Sequence, residues 1–308
     1  MQIVLAIVIG ILFTALTVYI SICVVIAHIM TRAKRVCPYR NLTWQSHQTD
    51  QVTFSPRLSQ RSEALQLAAW FIPVEAPQGV IVLVHGKDCC RGDELNTNTY
   101  ELAKAFRTQG FSTLLIDLRG HGQSDSARMT YGLHECDDVL GAIDWLVERG
   151  YSAERIGLFG ASMGGACAIA AAAKTPNIGA IVTDSTYSDF ADMMRRKFRK
   201  LSGMPTLFLP GALAIGRLLL RADFRDNRPA QDALLLADRP MLVIHSDADQ
   251  FVPLDHAQSL ATAGNAQLWI TRGDHHMASY RTDPEDYRRR VTQFFCQNMG
   301  AVELHSVA

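Results

Sequence analysis

A serine set between closely spaced glycines is the residue of this sequence whose setting best suits covalent chemistry. The run 160–165 reads GASMGG, follows a short apolar stretch and opens an alanine-rich segment. The pattern G-x-S-x-G between a strand and a helix predicts a sharp turn that lifts the serine hydroxyl above a sheet. Glycines two positions before and after the serine leave room for that strained turn, and the hydroxyl then lies at the positive end of a helix. We therefore predict that Ser162 is a nucleophile.

A serine hydroxyl is a weak nucleophile, so a base and an acid that orients the base must lie elsewhere in the chain. The order serine, acid, histidine accompanies G-x-S-x-G, and two loops that follow predicted strands carry these residue types. The first loop holds Asp247 and Asp249, and the second holds His275 and His276. A carboxylate should hold one imidazole nitrogen while the other nitrogen accepts the serine proton. The residue types leave both choices open.

The negative charge that develops on an attacked carbonyl oxygen needs backbone N–H donors. We expect one donor from Met163, directly after the predicted nucleophile. The other should come from the loop after the apolar run 80–84, where Gly86 lets the chain approach the site closely. His85, in the same loop, is interpreted as a structural hydrogen-bonding residue.

These motifs resemble those of the α/β-hydrolases, the superfamily of serine esterases, lipases and peptidases. Within it, the chain is similar over residues 65–298 to a membrane-anchored branch related to lysophospholipases, acyl-thioesterases and cinnamoyl esterases. The acid loop of the family reads H-G-x-x-D-x-x-V-P, which places the acid on Asp249 and leaves Ser246 where glycine is usual. The histidine loop reads G-x-x-H-x-x-x-Y, which places the base on His276.

The resemblance also implies two features beside the catalytic residues. It places the second oxyanion donor on Lys87. It further matches residues 117–124 to the family motif D-x-R-G-x-G-x-S, whose expected role is to fix a loop beside the pocket. His121, within that motif, is not expected to be catalytic.

The elements that would position these residues alternate between short apolar runs and longer helical patterns from about residue 61. This alternation predicts an α/β fold with a mostly parallel sheet and helices on both faces, in a hydrolase domain over residues 61–300. The interval between Asp184 and Pro240 is too long for one crossover, so we expect a helical cap insertion at about 186–238. The predicted strands are 65–72, 80–84, 111–117, 155–159, 178–183, 241–245 and 267–271, and the predicted helices are 97–108, 134–149, 163–174, 254–263 and 284–298.

One segment of the insertion has the pattern of a basic amphipathic helix. Its apolar residues recur at helical spacing, and basic residues occupy much of the other face. The apolar set is Phe190, Met193, Met194, Phe198 and Leu201, and the basic set is Arg195, Arg196, Arg199 and Lys200. Either the charges simply face water over a covered pocket, or they also face anionic lipid.

Residues 3–30 contain no Asp, Glu, Lys or Arg. A helix over this range would reach ~42 Å, more than the ~30 Å of a bilayer's hydrocarbon core, which predicts a transmembrane helix over residues 1–30. A cleaved signal peptide is the alternative, but the run is long, lacks a basic n-region and has no clear A-x-A site after it. Basic residues follow within 31–60, the predicted juxtamembrane linker, and predict a cytoplasmic catalytic domain and a very short outer N-terminus. They are Arg32, Lys34, Arg35 and Arg40.

Other compositional features disfavour several functional classes. The seven cysteines contain no C-x-x-C pair, which disfavours a zinc or redox site, and scattered reduced thiols suit a cytoplasmic domain. Cys89 and Cys90 are interpreted as small buried apolar residues. There is no P-loop or dinucleotide fingerprint, and 30 basic residues balance 30 acidic ones, which disfavours nucleic-acid binding. We expect no metal and no cofactor.

Together these features predict a membrane-tethered serine hydrolase that cleaves an ester or thioester of a hydrophobic acyl group through an acyl-enzyme. The expected partners are that acyl substrate and membrane lipid, and the sequence does not identify a protein partner. Two alternatives remain open: a serine peptidase using the same triad, and a binding module with this fold but no turnover.

Overall fold

The computed structural model describes residues 1–34, 37, 49–57 and 64–299, and only the backbone of residues 96 and 97. Eight strands in this part of the chain form a single sheet. They are β1 (Asp50–Phe54), β2 (Leu67–Ile72), β3 (Gly79–Val84), β4 (Phe111–Ile116), β5 (Ile156–Ala161), β6 (Ala180–Asp184), β7 (Met241–Ser246) and β8 (Gln267–Thr271). Their order is β1-β2-β4-β3-β5-β6-β7-β8. β2 runs antiparallel to both neighbours, and the other pairs are parallel.

Helices connect these strands and precede them. They are α1 (Gln2–Met30), α2 (Glu94–Thr97), α3 (Thr99–Thr108), α4 (Glu135–Val147), α5 (Met163–Ala173), α6 (Phe190–Ser202), α7 (Leu209–Leu220), α8 (Pro229–Ala233), α9 (Leu254–Ala263), α10 (Ser279–Thr282) and α11 (Pro284–Met299). Short 3₁₀ turns lie at Ala153–Arg155, Thr206–Phe208, Phe224–Asp226 and Leu234–Leu236. The predicted mixture of parallel strands and helices is confirmed, and the predicted strands begin and end within about two residues of those observed.

The sheet separates two apolar cores. Alternate residues of β3 face opposite sides: Val80 and Val82 join the core beneath α4, α5 and α9, and Ile81 and Leu83 join the core beneath α3 and α11. Since successive side chains of a strand point to opposite faces, a strand covered on both faces must be apolar throughout. That requirement explains why the central strands read as continuous apolar runs.

The sheet begins earlier than the sequence predicts. β1 lies inside the range 31–60 that was expected to be a linker, and it pairs antiparallel with β2. Only Val52 and Phe54 of this edge strand turn apolar side chains inward, so the alternation is too short to be recognised in the sequence. Of the rest of the predicted linker, the structure describes only residues 31–34, 37, 49 and 55–57. Arg35, Arg40 and the predicted domain end at residue 300 lie outside the described residues.

The insertion between β6 and β7 contains α6, α7 and α8. α6 is the predicted amphipathic helix: Asp189 caps its start by accepting from the Asp192 N–H at 2.9 Å, and it ends at Gly203, whose φ is 68°. Of the predicted apolar face, Phe190, Met193, Met194 and Phe198 are buried, and Leu201 is exposed. Much of the basic face has partners within the chain: Arg195 and Arg196 bind Asp192, Arg196 also binds Asp255, and Lys200 donates to Gln250.

α1 does not extend freely from the domain. Residues 1–18 are exposed, but the second half of the helix packs against α7 through Tyr19 and Cys23. The two backbones approach at Gly211, where a Cβ would lie 2.5 Å from the Sγ of Cys23. The Tyr19 hydroxyl donates to the Leu207 carbonyl at 3.0 Å, and its ring stacks on Phe208.

The chain that leaves α1 is also held to the domain. The Met129 N–H donates to the Thr31 carbonyl at 2.8 Å, and the Lys34 N–H donates to the Asp88 carboxylate at 2.9 Å. A disulfide then joins Cys37 to Cys90. The expectation of reduced thiols is therefore wrong for this pair, because spacing along the sequence cannot reveal that two cysteines 53 residues apart meet in the fold. Cys89 stays free and partly buried.

Candidate active site

Ser162 lies on the turn between β5 and α5, with φ 51° and ψ −116°. A non-glycine residue with this backbone is strained and needs its surroundings to hold it. A Cβ on Gly160 would lie 2.4 Å from the Gly164 carbonyl, and one on Gly164 would lie 2.2 Å from the Val84 carbonyl. The Ser162 N–H donates to the Asp184 carbonyl at 2.8 Å. The glycines are thus required by close backbone packing on both sides of the turn.

Three side chains form a continuous hydrogen-bonded chain at the carboxyl ends of β5, β7 and β8. The Oγ of Ser162 lies 2.9 Å from Nε2 of His276, and Nδ1 of His276 lies 2.7 Å from Oδ2 of Asp249. The other carboxylate oxygen accepts from the N–H groups of Phe251 and Val252 at 2.8 and 2.9 Å. Burial raises the pKa of Asp249, but the hydrogen bond and charge of His276 outweigh it, so the pKa lies below its usual value.

The alternatives left open by the sequence lie apart from this chain. Asp247 is exposed and accepts only a 3.2 Å hydrogen bond from the Gly273 N–H among the described residues. His275 turns outward, where it binds Asp274, and its Nε2 lies 3.3 Å from Arg281. The structure brings together Ser162, Asp249 and His276, which are the residues that the family motifs indicate.

The two predicted oxyanion donors border the same cavity as Ser162. Met163 begins α5 and Lys87 follows β3, and neither backbone N–H donates to another group within the described part of the chain. Gly86 lets the Lys87 loop pass the nucleophile, because a Cβ there would lie 3.3 Å from the Ser162 Cβ. Both N–H groups are therefore available to an incoming oxygen atom.

A buried carboxylate that the sequence analysis missed holds this loop. Glu94, at the start of α2, accepts from the Gly86 N–H at 2.5 Å. Burial raises its pKa, which the Gly86 hydrogen bond partly offsets. No sequence motif marks Glu94. The one signal that could have suggested the contact is that Glu94 begins a very short helix only eight positions after Gly86.

His85 and the 117–124 segment have structural roles, as expected. His85 donates through Nδ1 to the Gly86 carbonyl at 2.7 Å and accepts through Nε2 from the Leu118 N–H at 3.1 Å. Burial lowers its pKa to about 3, which keeps the ring neutral. Asp117 forms a buried ion pair with Arg91 at 2.8 Å, and Arg119 forms another with Asp138 at 2.6 Å. These contacts fix the loops that lie beneath the oxyanion donors.

The histidine loop is held by a second buried carboxylate. Asp184, at the end of β6, accepts from the Tyr287 hydroxyl at 2.8 Å and from the Ser279 hydroxyl at 3.2 Å. Gly273 lets this loop pack against the acid loop, because a Cβ there would lie 2.6 Å from the Ser246 Oγ. The position of His276 is therefore set by contacts on both sides of its loop.

A cavity of about 650 Å³ opens above Ser162. Its lining is mostly apolar and is contributed by α6, by α1 and by aromatic residues of the surrounding loops. Among them, Phe251 lies against the His276 ring, with 4.9 Å between ring centroids. The volume falls within the range of small-molecule sites.

The fold and this site define a serine hydrolase of the α/β-hydrolase superfamily. The chain belongs to the family described as serine aminopeptidase, S33, whose sequence model matches residues 75–233. That match includes Ser162 and both oxyanion positions but ends before Asp249 and His276. The acid and the base therefore depend on the geometry and on the loop motifs.

Known proteins resemble the chain over most of its length. It is 27% identical over 229 residues to the Bacillus subtilis protein YqkD, covering 72% of each chain. It is 26% identical over 242 residues to the Escherichia coli K12 protein YfhR, covering 75% of this chain and 77% of that one. Among solved structures, the Pyrococcus furiosus esterase Pf2001 superposes with a TM-score of 0.70 at 22% identity, covering 88% of this chain and 98% of that one. At this identity the structural likeness supports the fold.

Proposed function

We propose that the protein hydrolyses an ester or thioester of a hydrophobic acyl group. Ser162 attacks the acyl carbonyl, and His276 accepts the serine proton and then passes it to the leaving alcohol or thiol. Asp249 stabilises the imidazolium, and the N–H groups of Met163 and Lys87 bind the oxyanion. The observation that carries this proposal is the hydrogen-bonded chain from Ser162 through His276 to Asp249 at the floor of an apolar cavity.

The second half of the reaction uses the same groups. His276 removes a proton from water, and the water oxygen attacks the acyl-enzyme carbonyl. The bond from the acyl carbon to the Ser162 oxygen then breaks, and His276 returns the proton to that oxygen as the acid leaves. Apart from the attacking water, these proton transfers use only groups of the chain. Apolar lining favours an acyl group over a charged one, since burying an unpaired charge is costly.

The family description makes a serine aminopeptidase the second candidate. An aminopeptidase must bind the α-ammonium group of its substrate, and a carboxylate in the pocket is the usual partner for such a charge. The described residues that line the cavity include no Asp or Glu, and the one charged side chain among them, Lys87, is paired with Asp88. An acyl ester or thioester suits this lining better than a free amino terminus.

Among the described residues, one helix is long and apolar enough to cross a membrane, and it is α1. We propose that α1 is a retained membrane helix. The part of α1 in which every residue is exposed, 1–18, would span ~27 Å, close to the thickness of a hydrocarbon core. A signal peptide that is cleaved does not need to pack against α7 or to line the cavity. Its removal would expose the surface of α7 and the cavity to solvent. Contact of the basic face of α6 with anionic lipid stays a prediction.

Two features favour opposite orientations of this helix. The basic residues after α1 predict a cytoplasmic domain. The Cys37–Cys90 disulfide favours the opposite side, because disulfides persist in oxidising compartments. A reporter fused to the C-terminus decides between them: activity of a cytoplasmic reporter would support the first, and activity of an exported reporter would support the second.

The proposed nucleophile is tested with a fluorophosphonate probe and a chromogenic ester. Ser162→Ala should lose labelling and lower kcat by several orders of magnitude, with a small residual rate from the oxyanion donors. Ser202→Ala is the matched control, since Ser202 lines the same cavity but donates to the Phe198 carbonyl. Wild-type turnover by Ser162→Ala, or loss of labelling in the control alone, would contradict the assignment.

A further inference from the structure

α1 contributes a stripe of side chains to the cavity above Ser162. The residues are Ser21, Ile22, Val25, Ile26, Ile29 and Met30. Their spacing of one, three or four positions places them along one face of the helix. Anchoring a domain to a membrane does not require any face of the helix to line the catalytic pocket, so this contact indicates a further role for α1.

The cavity reaches the outer surface beside this stripe. Val25 and Ile29 line it and are nevertheless 56% and 65% exposed. Leu201 of α6 also lines the cavity and is 46% exposed. The edge of the opening is therefore apolar, and it continues the exposed apolar surface of α1. Such an edge suits hydrocarbon better than water.

The reacting groups of the cavity lie near the C-terminal end of α1. The C-terminal end of α1 lies beside the oxyanion loop, because the Lys34 N–H donates to Asp88, next to Lys87. The Tyr131 hydroxyl, on a residue that lines the cavity, donates to the Met30 carbonyl at 2.9 Å. Ser162, Met163 and Lys87 thus lie near the end of the stripe at Met30, and Ser21 lies at the end nearer the exposed half of α1.

From this arrangement we infer that α1 forms one wall of the acyl-binding site, and that the substrate is a long-chain amphiphile that enters from the bilayer alongside α1. The inference rests on the proposed ester or thioester hydrolysis and specifies its substrate class. The carbonyl lies at Ser162, the acyl chain follows α1 back toward the membrane, and the leaving group points toward the partly exposed edge at His276.

The stripe also sets a length for the acyl chain. From Ser21 to Met30 a helix rises about 13 Å. A zigzag alkyl chain with bonds of about 1.5 Å advances somewhat less than a bond length per carbon, so about ten carbons fit along this wall. Shorter acyl groups would contact only a small part of this wall and should gain little binding energy from it.

Two neighbouring valines provide a matched test in the full chain, reconstituted in phosphatidylcholine vesicles. Val25 lines the cavity, whereas Val24 is 43% exposed and does not. Val25→Trp should lower kcat/KM for a dodecanoyl p-nitrophenyl ester at least tenfold and for the butanoyl ester less than twofold. Val24→Trp should change neither by more than about twofold. Labelling of Ser162 by a small fluorophosphonate at the wild-type rate shows that each variant is folded.

The outcomes separate the inference from the function on which it rests. If the wild type hydrolyses both esters and the two tryptophan variants have the same kcat/KM for the dodecanoyl ester, the inference that α1 forms a wall of the acyl-binding site is refuted. If the wild type hydrolyses neither, the proposed function itself fails. Ile29→Trp serves as a second wall variant should Val25→Trp not fold, and the same loss is expected.

The route from the bilayer has its own test. A diacyl ester that exchanges slowly between vesicles is placed either in the vesicles that carry the protein or in separate ones. We expect hydrolysis at least tenfold faster in the first arrangement. Equal rates in the two arrangements would overturn lateral entry.

Discussion

Asp249→Asn should inactivate the enzyme by reversing the tautomer of His276. The Oδ1 atom of Asp249 accepts two backbone hydrogen bonds, from Phe251 and Val252, so in the variant the amide oxygen must take this position. The amide nitrogen then occupies the Oδ2 position, 2.7 Å from Nδ1 of His276. Because that nitrogen can only donate, Nδ1 must become the acceptor, and the ring proton moves to Nε2. Nε2 then has no lone pair to accept the proton of Ser162.

The size of the effect follows from this geometry. An exchange of the triad acid for its amide with the wrong histidine tautomer lowers kcat by about 10⁴ in other serine hydrolases. That factor corresponds to about 5 kcal/mol of lost transition-state stabilisation. The assay is steady-state hydrolysis of a short p-nitrophenyl ester by both proteins, with KM expected to change little because the apolar pocket is untouched.

Asp247→Asn is the matched control. Asp247 is exposed, and the one described hydrogen bond of its carboxylate, from the Gly273 N–H, is 3.2 Å long. We expect kcat within about twofold of the wild type. A larger loss in Asp247→Asn than in Asp249→Asn would transfer the role of the acid to Asp247, and a variant at 249 that kept a tenth of the activity would refute the tautomer argument.

Three further predictions concern the proposed base, a buried histidine and the disulfide. His276→Ala should lower kcat by several orders of magnitude, whereas His275→Ala should retain near wild-type turnover; the reverse order in kinetic assays would move the base to His275. Because burial lowers the pKa of His85 from 6.5 to about 3, the unfolded chain binds a proton there that the folded chain does not, so stability falls as the pH is lowered below 6.5. Between pH 7 and pH 5, the free energy of unfolding measured by urea titration should fall by about 2 kcal/mol less in His85→Gln than in the wild type. Equal decreases in the two proteins would refute a neutral buried His85. Cys37→Ser should lower the Tm by about 10 °C, because the disulfide closes a 53-residue loop and so stabilises the fold by about 4 kcal/mol. Reductant should lower the Tm of the wild type only. An unchanged Tm in the variant would contradict the disulfide.

The sequence predicts those parts of the site that are encoded locally. Ser162 is recognisable because the strand, the turn and the helix that expose it are contiguous in the chain. The acid and the base are harder, since each loop offers two residues of the right type. Composition cannot tell which residue of each pair points at the other loop, and only the spacing in the family motifs indicated Asp249 and His276.

Other features depend on contacts between distant segments. Tyr19 and Leu207, which join α1 to the cap, are 188 positions apart, and the periodicity of either segment contains no information about the other. Glu94 looks like an ordinary residue at a helix start, and its role appears only when Gly86 is placed beside it. An apolar run such as 3–30 satisfies the requirement for a membrane helix whether or not one of its faces also borders a pocket.

The hydrogen-bonded junction between α1 and the domain has a kinetic consequence. A flexible tether would let the active site sample the surrounding solution, but contacts from Tyr19 to Lys34 fix the height and tilt of Ser162 relative to the helix axis. If α1 spans a bilayer, the enzyme meets its substrate by lateral diffusion within one leaflet. Its rate should then follow the mole fraction of substrate in that leaflet, and adding inert lipid should slow it even when the bulk concentration of substrate is constant.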